Sequence, residues 1–173
     1  MLATPERPEW ELWLDGRWTK TVRRGTGPQL EAATLFAATV VEVGPARALG
    51  FVPVAYADLP APLVKMQVAK FERERSGDLV DHGSGPVVAL NPTLEMSTGK
   101  CAAQAAHGVF RWWLDRDTHE QEEWVREGHP LWVRTELEVL EWADFLASAS
   151  GVIHDSGMTE TAPGSLTVAV RHR

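Results

Sequence analysis

Only one cysteine, Cys101, stands among the 173 residues, so the chain closes no internal disulfide. Long apolar runs are also missing: none approaches the roughly 18 residues that a membrane-spanning helix needs. The opening Met-Leu-Ala-Thr-Pro-Glu lacks the basic-then-apolar order of a signal peptide. Together these absences predict a cytoplasmic protein with no membrane partner. The histidines at 82, 107, 119, 129, 154 and 172 form no i, i+4 pair and have no cysteine partners at zinc spacing. Neither a metal nor another cofactor is therefore expected. Internal repeats and low-complexity tracts are absent too.

Positive charge is scarce where it would matter most. Residues 1–77 hold ten Lys/Arg against nine Asp/Glu, which is +1, while residues 78–173 hold seven against fifteen, which is −8; the two add to the net −7. Phosphate neutralisation dominates affinity for nucleic acid, so the acidic half lacks a simple electrostatic footprint for it.

What is present is enough apolar material, 44% of the residues, for one sizeable core plus a small appendage. The eight tryptophans read as packing groups, because each ring buries a large area. A base-stacking platform is the alternative.

The chain divides by pattern into an extension, 1–77, and a main domain, 78–173. In the extension, residues 10–24 read as two short strands around an Asp15-Gly16 turn. A break follows at 25–28, then a short helix over 29–38 and a strand over 39–43. Proline and glycine punctuate the chain up to Pro62, and 76–85 reads as a linker. The pattern sharpens from Pro86. Pro86 to Leu90 is a continuous apolar run, as in a strand covered on both faces. Thr98 is a plausible N-cap for an alanine-rich helix over 99–114. Another helix is expected over 119–127, a strand over 131–135, and a helix over 136–149 with Leu137, Leu140 and Phe145 inward. Gly151 would stop that helix, and strands follow at 152–153 and 166–170. Strands alternating with helices predict an α/β domain of two or three layers, with a small sheet-containing extension before it.

Two segments hold residues able to do chemistry. On the first helix of the main domain, Lys100, Gln104, His107 and Arg111 share one stripe at i, i+4, i+7 and i+11. Ala102, Ala103, Ala106, Val109 and Phe110 are left to pack on the sheet. A helix that follows a buried strand starts where α/β folds bind ligands. A lysine in a first helical turn, where an anion is favoured, makes sense if a carboxylate or negative ligand faces it. Otherwise the stripe is a solvated face. Ser97-Thr98-Gly99-Lys100 is no P-loop: Leu94 stands where its first glycine belongs, and Cys101 where Ser or Thr should follow the lysine. Cys101 itself points about 100° away from Lys100 and reads as packing, not as a nucleophile. The second segment, residues 154–165, is a polar loop between apolar strands. Asp155 at a strand end there is placed to act on water or to orient a lysine; a simple Asp-Ser-Gly turn is the alternative.

Asn91-Pro92-Thr93-Leu94-Glu95-Met96-Ser97-Thr98-Gly99-Lys100, with Ala102-Ala103-Gln104-Ala105-Ala106-His107 after it, resembles the first signature of the peptidyl-tRNA hydrolase 2 family. Ile153-His154-Asp155-Ser156-Gly157, Thr159, Ala162-Pro163-Gly164-Ser165 and Thr167-Val168 resemble its second. The resemblance covers about residues 86–171, and the segment before it looks like the extension of the longer bacterial, actinobacterial-type members. It implies a mixed four-stranded sheet flanked by helices, a homodimer, and metal-independent cleavage of the ester between a peptidyl or N-blocked aminoacyl group and tRNA. Peptidyl-tRNA or aminoacyl-tRNA would then be the partner. Lys100, Gln104, Asp155 and Thr159 would be catalytic, with Thr98, His107, Arg111 and Ser165 in contact with substrate. Two departures remove positive charge: Ser97-Thr98 replaces a further lysine, and Met158 replaces an arginine. Other uses of such a site are acyl transfer to an amine, hydrolysis of another ester, or a non-catalytic interaction module.

Overall fold

The computed structural model describes residues 8–16, 21–68, 70, 72 and 84–172. Two compact units divide between Val68 and Ala69.

In the first unit, α1 (Pro8–Leu14) is a helix where two strands were expected. Pro8 opens it and two acidic residues, Glu9 and Glu11, favour its first turn. Trp10 and Trp13, one turn apart, meet edge to face with centroids 5.6 Å apart. Asp15 and Gly16 close the helix, donating to the carbonyls of Glu11 and Trp13. Among the described residues of the second half of that stretch, Arg23–Arg24 (β1) form a strand; residues 17–20 lie outside the described set. Then come α2 (Gly27–Thr34), the hairpin β2 (Thr39–Val43) and β3 (Ala46–Gly50), α3 (Ala61–Val64) and β4 (Gln67–Val68). Strand β1 pairs antiparallel with β4. Ala33, Leu63 and Met66 form the unit's small core. The expected linker, 76–85, falls almost wholly outside the described residues.

The second unit holds β5 (Pro86–Leu90), α4 (Thr98–Leu114), α5 (Thr118–Arg126), β6 (Trp132–Arg134), α6 (Val139–Ala147), β7 (Gly151–His154) and β8 (Leu166–His172). The sheet order is β6-β5-β8-β7, with β5 and β6 parallel and the other pairs antiparallel, so the expected mixed four-stranded sheet is present. Its two faces follow from strand alternation. Val88, Leu90, Val168 and Val170 face Trp112 of α4 and Trp124 of α5. Val87, Ala89 and Ala169 face Trp142 and Phe145 of α6. Every residue of β5 is buried, which explains its unbroken apolar run.

Three details differ from expectation. Helix α6 starts later than residue 136, because Glu138 and Glu141 make a capping box around its first turn. Leu137 thus precedes the cap and joins Trp142, four residues into the helix, in the core. This staple turns Leu140 outward, 81% exposed. Second, Gly151 does not stop the helix but opens β7, opposite Val170. Third, the face of α4 on the sheet is not the alanine face. Ala102 and Ala106 are exposed, while Lys100, Gln104, Gly108 and Trp112 are buried. Gly108 sets the approach: a Cβ there would lie 2.8 Å from Val168 Cγ1 and 3.2 Å from Val88 Cγ1.

Candidate active site

Strands β5 and β7 run the same way on either side of β8. Their carboxyl ends therefore reach one end of the sheet, where the loops after Leu90 and His154 begin. Asn91 ties that end together, its Nδ2 donating to Leu166 O at 2.8 Å. The pairing register of β7 with β8 shifts between Ile153 and His154. Such irregularities re-aim the residue that follows, here Asp155.

Lys100, in the first turn of α4, meets that aspartate. Its Nζ lies 2.8 Å from Asp155 Oδ1 and donates to Thr159 Oγ1 at 3.0 Å. The side chains of Lys100 and Asp155 are 8% and 11% exposed, so the pair is screened little by water. Gln104, one turn on, donates from Nε2 to the same Oδ1 at 2.7 Å. The other carboxylate oxygen accepts from Gly157 N at 2.9 Å and from Thr161 Oγ1 at 2.6 Å. The Asp155-to-Gly157 contact is an Asx turn, made by Gly157 at φ +72°. Burial pushes the Asp155 carboxyl up, but the hydrogen bonds from Lys100, Thr161 and Gly157, with the Lys100 charge, outweigh it and hold its pKa at about 2.

A second carboxylate closes the loop onto the helix. Glu160 accepts from Ser97 N and Ser97 Oγ, each at 2.8 Å. Burial raises its carboxyl, yet the Ser97 bonds, the Lys70 N–H and the charge of Lys100 bring it below the usual carboxylate range. Ser97, not Thr98, is the N-cap of α4, its hydroxyl accepting from Lys100 N at 3.3 Å. Thr98 donates from N and Oγ1 to Glu72 at 3.2 and 2.9 Å. Thus the start of α4 already holds two carboxylates of the chain itself, as its partial positive charge favours. Beside Thr159 and Glu160 runs an open groove of about 660 Å³, lined also by Leu94, Glu95, Met96 and Lys70.

The structure thus brings together Lys100, Gln104, Asp155 and Thr159. Ser165 stands behind them, its carbonyl accepting from Asp155 N at 2.9 Å. His107 is half-buried on α4. Arg111 lies farther off, eleven residues or about 16 Å along the helix from Lys100, where it pairs with Asp115 at 3.1 Å. Three further contributors are not among the expected site residues. Thr161 and Glu160 belonged to a polar loop with no local period to mark them. Thr167 lay inside an apolar strand; a hydroxyl in such a run was the available signal. It is fully buried and donates to Gln104 Oε1 at 3.0 Å. Among the described residues, no three of His, Cys, Asp or Glu gather as metal ligands, and no helix is long and apolar enough to cross a membrane.

The family model described as peptidyl-tRNA hydrolase PTH2 matches residues 86–171, from the first strand of the sheet to the last. A peptidyl-tRNA hydrolase of Methanopyrus kandleri is 34% identical over 89 residues, covering 47% of this chain and 77% of that relative. The family match spans the stretch that carries the site.

Proposed function

The chain belongs to the peptidyl-tRNA hydrolase 2 family, and on that premise we propose that it hydrolyses the ester joining a peptidyl or N-blocked aminoacyl group to tRNA. The observation that carries this reading is the buried Lys100–Asp155 pair, flanked by Gln104 and by Thr159, which also lines the open groove.

Asp155 suits the role of fixed counter-charge better than that of base. Each of its oxygens already accepts two hydrogen bonds, and a carboxyl with a pKa of about 2 is a poor proton acceptor near neutrality. Lys100 has three ammonium protons, and Asp155 and Thr159 take two. The third is available to the ester carbonyl oxygen. Because Thr159 accepts from Lys100, its own hydroxyl proton points elsewhere and becomes a stronger donor. Lys100 and Thr159 together would stabilise the oxyanion that forms when water adds to the carbonyl carbon. The C–O bond to the ribose then breaks, and the proton lost by the attacking water ends on the departing ribose oxygen. Lys100 Nζ holds the place a cation would take beside Asp155, which supports a metal-independent reaction.

Thr98, His107, Ser165 and Arg111 are assigned to contact with the substrate, not to chemistry. Residues 1–77 are assigned as an extension of the family domain 78–173, of the bacterial, actinobacterial type. The net +1 of the extension, against −8, gives it the better charge for phosphate. A cytoplasmic homodimer completes the reading.

The test is to incubate the protein with N-blocked aminoacyl-tRNA and follow release of free tRNA, with Asp155→Asn as control. Release that depends on Asp155 is expected. A folded protein that releases nothing, even at low salt where phosphate contacts are strongest, overturns the reading.

A further inference from the structure

Glu160 follows Thr159 in the chain yet spends its side chain on the opposite partner, the helix that carries Lys100. From this we infer that Glu160 is a positioning residue for the reaction proposed above: it holds the N-cap of α4 and so keeps Lys100 in register with Thr159.

The geometry makes a closed ring. Glu160 Oε2 accepts from Ser97 N and Oε1 from Ser97 Oγ, both at 2.8 Å. The Ser97 hydroxyl, its single proton given to Glu160, offers a lone pair to Lys100 N at 3.3 Å. At the far end of the lysine side chain, Nζ donates to Thr159 Oγ1 at 3.0 Å, and the peptide bond from Thr159 to Glu160 closes the circuit. Loop and helix are therefore pinned at two points, one at each end of Lys100. Lys70 N adds a third donor to Glu160 at 3.2 Å. A carboxylate fits this task because both its oxygens accept; an amide has one acceptor oxygen and an NH₂ that would face the Ser97 donors. Nothing in the ring touches the reacting atoms through Glu160, so its effect on chemistry passes through Lys100.

The inference rests on the proposed reaction, and two measurements keep their failures apart. In the tRNA-release assay, Glu160→Gln should lower kcat about ten-fold, since misplacements near 1 Å cost up to about a hundred-fold. KM should stay within about two-fold, the pattern of an interaction felt only in the transition state. Ser97→Ala should behave alike, and the double variant should be no slower than the slower single one. Independently of any substrate, the ¹⁵N signal of the Lys100 ammonium should shift or broaden in Glu160→Gln. The indole N–H of Trp124, bonded to Pro130 O at 2.7 Å, should stay in place as the marker of an intact fold. An unmoved Lys100 signal, or native kcat in the folded variant, overturns the inference. A native protein that releases no tRNA would instead fail the reaction, and the Lys100 signal still decides the role of Glu160. Should Glu160→Gln lose the Trp124 signal, the same two readouts are taken on Ser97→Ala, which cuts the same ring, and a native result there overturns the inference equally.

Discussion

Thr167 donates its hydroxyl to Gln104 Oε1 at 3.0 Å, at the far end of the amide whose Nε2 meets the Asp155 carboxylate. The carboxylate can only accept, so Gln104 must present Nε2 to Asp155, and its oxygen is thereby turned to the Thr167 hydroxyl. A fully buried residue inside the last strand thereby satisfies the end of the amide that Asp155 cannot use.

Thr167→Val keeps the shape and removes that donor. Gln104 Oε1 is then buried without its partner, at a cost of about 1–3 kcal/mol. Chemical denaturation should show this loss, and turnover should fall as well, because the freed amide can rotate away from Asp155. Native stability in the valine variant would refute the assignment.

Lys100→Ala removes the proposed oxyanion donor. Losing one such group costs roughly 100-fold to 1000-fold in rate. Release of tRNA should drop by that factor while circular dichroism stays native. Asp155→Asn should fall similarly, because Lys100 loses the charge that fixes it. Native rates in both variants would exclude the two residues from the chemistry.

Acid should weaken the fold through Asp155. Its folded pKa, about 2, is depressed from an ordinary 3.8. The stabilisation is therefore complete above about 3.8 and is lost as pH falls from there through about 2. Its size is about 2 kcal/mol by linkage. Glu160, also lowered, adds loss of the same sign. Urea unfolding at about pH 5 and about pH 2.5 measures the difference, which should be smaller in Asp155→Asn. An equal difference in both proteins would place the acid sensitivity elsewhere.

Gly157→Ala strains the loop twice. The position has φ +72°, and a Cβ would lie 2.5 Å from the Pro163 ring. The alanine variant should lose the Gly157-to-Asp155 bond and with it most turnover, while the sheet core remains. Hydrogen exchange should rise in residues 155–165 and stay native in β5. Unchanged exchange in the loop would show that it accommodates the side chain.

Much of this was legible in the chain alone. The apolar run at Pro86–Leu90 reads as a strand covered on both faces, and the alternation of strands and helices after it pointed to the α/β class. The paired motifs around Lys100 and Asp155 named the family and the four residues that meet. These features are local, so short-range pattern suffices to read them. What required the tertiary structure is which surface each element turns inward. The tryptophans and acidic residues of 8–14 form a helix where Asp-Gly had suggested a hairpin, because turn chemistry also suits a helix end. Leu140 points outward because a capping box and a Leu137–Trp142 staple set the rotation of α6. Above all, the Lys100–Gln104 stripe is buried although polarity alone would place it in water. Burying a lysine is costly without a partner, and its partner lies 55 residues away, at the end of a strand across the sheet. No local pattern can report that neutralisation; only folding brings the two charges within 2.8 Å.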